Sequence, residues 1–301
     1  MGETVTSSGI VLVDKPQGWT SHQVVGRLRR LLGTRKVGHA GTLDPMATGL
    51  LIVGVNRATR LLGFLAGHDK TYQATIRLGQ SSTTDDAEGE LSSVVAAPGL
   101  SDAEIEAAIE ALRGDIVQVP SSVSAIKVNG QRAYALVRGG QEVELKARPV
   151  TVSRFDLLER RDLPDGFCDL DVVVDCSSGT YIRALARDLG AALTVQGLPV
   201  GGHLTALRRT RIGDFDLPET TVDLAGEAAP ELIGMGEVGR SAFPHVVLTE
   251  AQADDVRFGR ALRLTLPGSP TALLSPDGEL MALHEPDPQR AGSTKPVAVF
   301  V

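Results

Sequence analysis

The chain has 301 residues, of which 42% are hydrophobic and 22% are charged, and this composition predicts one large globular domain followed by a small one. The formal net charge of -7 excludes a uniformly basic nucleic-acid-binding protein, but residues 1–60 carry eight Lys and Arg against three Asp and Glu. A surface that faces a polyanion is therefore expected in the N-terminal part. The two cysteines, Cys168 and Cys176, lack CxxC spacing, which indicates neither a disulfide framework nor a zinc knuckle and predicts a reducing, cytoplasmic location.

The first predicted element is an amphipathic helix over residues 21–33. Thr20 and Gln23 have the spacing of a capping box, apolar residues recur on one face, and Gly33 ends the pattern. The opposite face is basic and leads into further basic residues: Arg27, Arg29, Arg30, Arg35 and Lys36. Such a face is either simply solvated or directed at phosphates, and both interpretations remain open.

Two strands and a second helix follow. LLIVGV, Leu50–Val55, is apolar throughout and predicts a fully buried strand, whereas TYQATIRL, Thr71–Leu78, alternates and predicts a half-buried one. SSTTDDAEGE, residues 81–90, predicts a polar loop. Ser101 and Glu104 again have capping-box spacing and mark the start of the second helix.

The remaining chain shows an insertion, a strand–turn–helix unit and a change of composition. Residues 119–144 mix turn signals with basic residues and predict a mobile basic insertion. After them come a strand, a small-residue turn and a helix that begins near Thr180, and then a strand over Leu204–Phe215. Residues 217–240 are acidic and lead into a predicted small β-rich module over residues 241–301. This module holds a helix with a capping box at Thr249 and Gln252, followed by short strands.

The segment GHAGTLDPMATGLL, Gly38–Leu51, places one carboxylate, Asp44, directly before a proline. An Asp-Pro pair commonly caps a helix or forms a turn, which is the simplest interpretation. The sequence contains no phosphate-binding loop, dinucleotide fingerprint, HExxH or GxSxG motif, and its six histidines lack metal-ligand spacing. With these classes of site excluded, the remaining candidate chemistry is that of a carboxylate acting together with arginine and tyrosine.

The Asp44 segment resembles the catalytic loop of the TruB family of bacterial tRNA pseudouridine synthases. Further segments match the family in its order: VDKPQGWTS (13–21), KTYQATIRLG (70–79), PSSVSAIKVNGQRAYALVRGG (120–140), SSGTYIRALARDLG (177–190) and ALRRTRIG (206–213). The resemblance implies an α+β catalytic domain over residues 1–240, with a mixed, largely antiparallel sheet and flanking helices. It also implies a small PUA-like RNA-binding domain over residues 241–301.

The resemblance implies roles for individual residues. Asp44 would be the catalytic carboxylate, Tyr72 would face the target base, and Arg183 would pair with Asp44. Four residues would complete the substrate site: Lys15 as a brace of the catalytic loop, Tyr181 as a nearby hydrogen-bonding group, Leu207 as pocket lining, and His39 stacked among the displaced nucleotides. The RNA backbone would be contacted by Arg35, Lys36, Lys127, Arg208 and Arg209. Tyr72 also lies on the apolar phase of its strand and could be a core residue.

The implied reaction is the isomerisation of the T-loop uridine 55 of tRNA, without a cofactor or a metal. A carboxylate that is ionised can attack and leave again, and an adjacent arginine favours that ionised form. Attack on the base and attack on the sugar both remain open, and Tyr72 is one candidate for the base that removes the C5 proton. The implied partner is tRNA alone, bound through its T-arm by a monomer, with neither a membrane nor a protein partner.

Two alternatives fit some of these features. A noncatalytic RNA-binding or tRNA-folding protein would use the same basic surfaces without needing Asp44. A glycosidase would need a second acid across the scissile bond, whereas the motifs place an arginine and tyrosines near Asp44.

Overall fold

The computed structural model describes residues 5–92, 96–97, 99–121, 127–128, 131–132 and 145–301. Most of the predicted 119–144 insertion therefore lies outside the described residues. The described helices are α1 (Ser21–Leu31), a 3-10 helix (Asn56–Leu61), α2 (Leu62–Ala66), α3 (Asp102–Glu110), α4 (Ile182–Ala192), α5 (Met235–Ala242) and α6 (Glu250–Arg257). In this part of the chain, no helix has the length and apolar character needed to cross a bilayer.

The described strands follow the predicted order, with several short additions. They are β1 (Gly9–Lys15), β2 (Val37–Ala40), β3 (Thr48–Val55), β4 (Lys70–Leu78), β5 (Gly114–Gln118), β6 (Lys127–Val128), β7 (Gln131–Arg132), β8 (Arg148–Asp162), β9 (Cys168–Cys176), β10 (Thr194–Val195), β11 (Leu198–Pro199), β12 (Gly202–Ile212), β13 (Phe215–Asp216), β14 (Ile233–Gly234), β15 (His245–Val247), β16 (Thr271–Leu274), β17 (Leu280–Pro286) and β18 (Thr294–Val299).

Local signals in the sequence account for the starts of three helices. At each of them an N-cap hydroxyl accepts a hydrogen bond from the backbone N–H three residues later, and the side chain at that later position returns a bond to the N-cap backbone. The pairs are Thr20 with Gln23, Ser101 with Glu104, and Thr249 with Gln252. Because both bonds join residues three apart, the capping boxes were visible in the sequence.

The chain divides into two compact units. Unit 1 comprises Met1–Pro45, Gly49–Ala66 and Ile212–Val301, and unit 2 comprises Met46–Thr48 and Gly67–Arg211. Unit 1 contains the antiparallel strand order β14-β1-β3, with β2 antiparallel to β3. It also contains the sheet β15-β16-β17-β18, in which β15 and β16 are parallel and the other neighbours are antiparallel.

Strand β3 separates two apolar clusters of unit 1, so it is buried on both faces as its sequence predicts. Leu51 and Val53 pack with β1 and with the apolar face of α1. Leu50 and Ile52 face the other cluster, which contains residues of α5 and of the C-terminal sheet, including Phe300. The C-terminal sheet and the N-terminal strands therefore share one core.

Unit 2 is built on the strand order β12-β4-β9-β8-β5, in which the pairs β4–β9, β9–β8 and β8–β5 are antiparallel. Strand β4 alternates between buried and more exposed residues, as predicted. On its outer face Thr75 donates to Asp171 at 2.7 Å and Arg77 pairs with Asp169 at 2.8 Å. The inner face is left to the apolar core and to the residues of the candidate site.

Two sequence-based interpretations change at this level. The 81–90 segment is more than a solvated loop, because Ser82, Asp85 and Asp86 are all buried. Arg27 of α1 does not face solvent freely. It donates to the carbonyls of Leu224 at 2.8 Å and Gly226 at 2.5 Å, and it pairs with the Glu227 carboxylate at 3.0 Å. The acidic 217–240 segment thus uses a basic residue of α1 as its anchor.

Candidate active site

Asp44 lies half-buried in the loop between β2 and β3. Residues 45–46 form a turn and β3 begins at Thr48, so no helix follows Asp44. The helix-cap interpretation of the Asp-Pro pair is therefore wrong, whereas its turn interpretation agrees with the structure. Gly41 and Gly49 flank the loop with φ values of 79° and 98°, a region that side chains rarely adopt, and so glycine is needed at both positions.

The backbone immediately before Asp44 is held by Ser21. Its Oγ accepts a hydrogen bond from the Leu43 N–H at 2.9 Å and lies 3.2 Å from the Leu43 carbonyl oxygen, to which it can donate. Ser21 is 1% exposed and is the first residue of α1. Sequence reasoning assigned no role to Ser21, although it closes the matching VDKPQGWTS segment.

The backbone immediately after Asp44 is held by Lys15, the last residue of β1. Its Nζ donates to the Pro45 carbonyl at 3.4 Å and to the carbonyls of Trp19 at 2.6 Å and Pro16 at 2.9 Å. Lys15 is 0% exposed, and because an ammonium group has three donors, these three carbonyls offset the cost of burying it. Lys15 thus contacts the loop that carries Asp44, directly after Asp44 itself.

His39 and the exposed residues Arg35 and Lys36 lie around β2. The half-buried His39 ring packs edge to face against the His22 ring of α1, with centroids 5.5 Å apart. Lys36 lines a cavity of about 540 Å³, which also has Arg57 and Arg60 in its wall. Sequence reasoning did not single out His22, Arg57 or Arg60, because singly placed basic residues and histidines are common on any surface.

In unit 2, Arg183 is the second residue of α4 and is 5% exposed. Its Nη1 donates to the Thr84 carbonyl at 3.0 Å and lies 3.3 Å from Oδ2 of Asp86, which is also buried. A cation near a helix N-terminus opposes the helix dipole, and the Asp86 carboxylate compensates for this and for desolvation. Sequence reasoning missed Asp86 because a pair of aspartates in a polar segment looks like a solvated turn.

A second ion pair lies one helical turn further along α4. Arg187 Nη1 is 3.1 Å from Oδ2 of Asp85, and its Nη2 donates to the Val119 carbonyl at 2.8 Å. Burial raises the pKa of Asp85, and the charge of Arg187 opposes that shift. Two successive aspartates of the 81–90 segment therefore face two arginines of one helix.

Tyr181 is the N-cap residue of α4 and is half-buried. Its backbone N–H donates to Oε1 of Gln118 at 2.8 Å, and its carbonyl accepts from Nε2 of the same side chain at 3.1 Å. The helix thus begins two residues later than Thr180, at Ile182, and its start is held by a residue of β5.

Tyr72 of β4 and Leu207 of β12 are each 8% exposed. The burial of Tyr72 is compatible with both a core role and a wall of a base pocket. Lys70, two residues earlier on the same face of β4, is also buried and donates to the His68 carbonyl at 2.6 Å. Burial and the charge of Arg209 lower the pKa of Lys70 to about 8.

The arginines of β12 differ in their exposure. Arg208 is half-buried and its Nη1 donates to Thr48 Oγ1 at 3.2 Å. Arg209, the next residue, is 1% exposed, since successive strand residues point to opposite faces; its contact with the RNA backbone stays a prediction. The side chain of Lys127 lies outside the described part of the chain. No group of three His, Cys, Asp or Glu among the described residues could hold a metal ion.

Comparison with known proteins identifies the family. The model for the N-terminal domain of TruB family pseudouridylate synthases matches residues 29–182, and the model for the C-terminal domain of tRNA pseudouridine synthase II matches residues 243–301. The tRNA pseudouridine synthase B of Cutibacterium acnes (strain DSM 16379 / KPA171202) is 54% identical, over 98% of this chain and 98% of its own. The chain belongs to the TruB family.

Further TruB relatives agree with this assignment, and solved structures agree with the fold. Proteins named tRNA pseudouridine synthase B from Mycobacterium sp. (strain KMS) and Nocardia farcinica (strain IFM 10152) are 56% and 57% identical over 97% and 94% of this chain, and over 96% and 91% of their own. A chain of an H/ACA RNP bound to a substrate RNA containing 2′-deoxyuridine has a TM-score of 0.71 at 24% identity, covering 97% of this chain and 85% of that one. A chain of the archaeal box H/ACA sRNP Nop10-Cbf5 complex has a TM-score of 0.68 at 25% identity, covering 97% and 86%. The predicted fold class, with its small C-terminal sheet domain, is confirmed.

Proposed function

We propose that this TruB-family protein converts the T-loop uridine 55 of tRNA to pseudouridine, with Asp44 as the catalytic carboxylate. Its family makes it a tRNA pseudouridine synthase, which is an isomerase. The observation that carries the assignment to Asp44 is the anchoring of its loop on both sides, by Ser21 at Leu43 and by Lys15 at Pro45. A nucleophile must be held in place to attack one atom, and a flexible loop would lose that advantage.

The chemistry breaks the C1′–N1 bond of uridine, turns the detached base and joins C1′ to C5, so the product has the atoms of the substrate and no cofactor is required. Asp44 attacks either the base or the sugar and leaves when the new bond forms, which suits an ionised carboxylate. We propose Arg183 as the counter-charge of Asp44, because a buried guanidinium favours the ionised form of a carboxylate beside it. The ion pair with Asp86 helps to hold this guanidinium in place. Tyr72 is the proposed stacking partner and candidate base for the C5 proton.

The target uridine has to leave its stack, which costs a few kcal/mol. Stacking on an aromatic ring such as Tyr72 recovers about 1–3 kcal/mol, and we propose that His39 stacks among the displaced nucleotides while Tyr181 and Leu207 complete the pocket. We propose Arg35, Lys36, Arg208 and the insertion with Lys127 as RNA-backbone contacts. Arg57 and Arg60, in the wall of the same cavity as Lys36, extend this set, since phosphates are bound mainly by Lys and Arg.

The C-terminal part completes the proposal. We place the catalytic domain at residues 1–240 and an RNA-binding PUA-like domain at residues 241–301, close to the family match that begins at residue 243. The protein is proposed to act on tRNA as a cytoplasmic monomer that needs no protein partner.

The test is incubation with an unmodified tRNA transcript, followed by chemical derivatisation that maps pseudouridine. Asp44→Asn keeps the size of the side chain but removes its charge, so we expect the rate of product formation to fall at least about 1,000-fold, which corresponds to about 4 kcal/mol, with tRNA binding retained. Asp165→Asn, an exposed residue of the β8–β9 turn, is the matched control and should keep wild-type activity. Equal loss of binding and activity would instead indicate an RNA-folding protein, and release of free uracil would indicate a glycosidase.

A further inference from the structure

The side chain of Gln118 makes an unusual pair of contacts. Gln118 is the last residue of β5 and is 1% exposed. Its Oε1 accepts from the N–H of Tyr181 at 2.8 Å and its Nε2 donates to the carbonyl of the same residue at 3.1 Å. One carboxamide therefore satisfies both backbone groups of a residue 63 positions away in sequence.

These contacts hold the N-cap residue of α4 itself. Tyr181 is the N-cap residue of α4, and its own side chain makes no capping hydrogen bond, as expected of a residue type without a short acceptor. The Tyr181 carbonyl also accepts the first intrahelical bond, from the N–H of Leu185 at 3.2 Å. Gln118 thus fixes the orientation of the peptide groups from which α4 starts.

Arg183 lies two residues after this start, so its position depends on how the helix begins. The guanidinium is held by Thr84 and Asp86. The backbone of α4 is held separately. Besides the contacts of Gln118, Arg187 of α4 donates to the carbonyl of Val119, the residue after Gln118. The contacts at Gln118 act on the backbone of α4, whereas those of Asp86 act on the Arg183 side chain itself.

We propose that Gln118 is a positioning residue for pseudouridine formation: it sets the start of α4, and thereby the guanidinium of Arg183, without touching RNA. This inference rests on the proposed function of the site. Because Gln118 acts on the chemical step alone, its loss should lower kcat and leave tRNA binding almost unchanged. A misplacement of a catalytic group of about 1 Å costs up to about 100-fold in rate.

The experiment measures kcat and KM on a tRNA transcript, and the Kd for the same RNA, for Gln118→Ala and Gln118→Glu. Gln118→Ala should lower kcat about 10- to 100-fold, with KM and Kd within about twofold of wild type, a change too small to reflect a lost phosphate contact. Gln118→Glu keeps the acceptor for the Tyr181 N–H, so it should recover a measurable part of kcat. Glu104→Ala, which removes the side-chain bond to the Ser101 N–H at the start of α3, is the control and should keep wild-type kcat.

Gln118→Ala with wild-type kcat and a lower denaturation midpoint would overturn the proposal, because Gln118 would then be structural only. A parallel rise in Kd and fall in kcat would also overturn it, since Gln118 would then act in binding. If Gln118→Ala does not fold, Gln118→Glu takes its place: a kcat below that of wild type with unchanged Kd supports the proposal, and a wild-type kcat overturns it. A wild-type protein that forms no pseudouridine would refute the proposed function and this inference together, whereas an active wild type with unaffected variants refutes this inference alone.

Discussion

At the scale of single residues, the buried charges of this protein are compensated in two different ways. Lys15 is surrounded by backbone carbonyls, which are fixed by the chain and cannot be titrated. Arg183 uses a carbonyl together with the carboxylate of Asp86. The second arrangement leaves a charge pair in a region of low dielectric, where removal of one partner is costly.

Asp86→Asn tests this charge pair. The substitution keeps an oxygen that can accept from the Glu88 N–H, as Asp86 does at 3.0 Å, but it removes the negative charge beside Arg183. The free energy of unfolding should therefore fall by about 3 kcal/mol, and pseudouridine formation should slow. Urea denaturation and the tRNA assay measure the two effects.

The control for Asp86 is Asp102→Asn. Asp102 pairs with Arg160 at 2.7 Å, but its side chain is 81% exposed, so this change should cost less than about 1 kcal/mol. Equal losses for the two variants would show that burial does not determine the effect of Asp86.

Lys70 gives a pH dependence of stability. Burial lowers its pKa to about 8 from its ordinary value of 10.5, so above pH 8 the folded protein holds fewer protons than the unfolded chain. The buried charge of Lys70 lowers the free energy of unfolding below pH 8. As the pH rises above 8 this free energy increases, by at most about 1.4 kcal/mol per pH unit. The stability of wild type relative to Lys70→Met should rise between pH 8 and pH 9.

Urea unfolding of both proteins across this pH window measures the difference. Both proteins contain Cys168 and Cys176, so the fall in stability that follows from the raised pKa of these thiols, about 11 against an ordinary 9.0, occurs in both and leaves the difference unchanged. If the free energies of unfolding of the two proteins change in parallel with pH, the lowered pKa of Lys70 is contradicted.

At the scale of elements, helix α4 packs against the start of β12 so closely that position 190 of the helix has no room for a side chain. A Cβ on Gly190 would overlap the backbone of Gly201 and Gly202, and the Gly201 N–H donates to the Gly190 carbonyl at 3.0 Å. Since α4 also carries Arg183, the packing of this helix and the geometry of the site are linked.

Gly190→Ala should force these backbones apart. Overpacking of this kind costs about 1–3 kcal/mol, and the shift of α4 should also lower kcat. In Gly26 of α1 a new Cβ would meet no atom within 4 Å, so Gly26→Ala should be neutral or stabilising by up to about 1 kcal/mol. Thermal denaturation of both variants checks the contrast, and an equal effect of both would argue against close packing at Gly190.

At the scale of the whole molecule, the C-terminal sheet is part of the core of unit 1. Phe300 is 2% exposed and lies in one cluster with Ile10 and Leu50. Its carbonyl also accepts a hydrogen bond from Arg57 at 2.8 Å. Residues at opposite ends of the chain thus stabilise the same unit, and we expect them to unfold together.

Phe300→Ala should lower the stability of this unit by about 3–5 kcal/mol. Trp19, the single tryptophan of the chain, packs against the other cluster of unit 1, so its fluorescence reports whether the loss reaches the N-terminal strands. Val297→Ala, at a position of β18 that is 37% exposed, should have an effect below about 1 kcal/mol. A Trp19 transition that does not move in Phe300→Ala would show that the C-terminal sheet unfolds independently.

The sequence by itself determined the features whose causes are local. The capping boxes at Thr20, Ser101 and Thr249 join residues three apart, and the burial of β3 follows from an uninterrupted apolar run. The ordered motifs around Asp44 also sufficed for the family and the expected chemistry.

Only the tertiary structure decided which residues meet across long separations in sequence. It places Asp86 beside Arg183 and Gln118 beside Tyr181, and it buries Arg209 while Arg208 is half-exposed. Charge and polarity are the same for a residue in a solvated turn and for one in a buried pair. What separates the two cases is the surrounding chain, whose packing depends on distant residues that no local pattern contains.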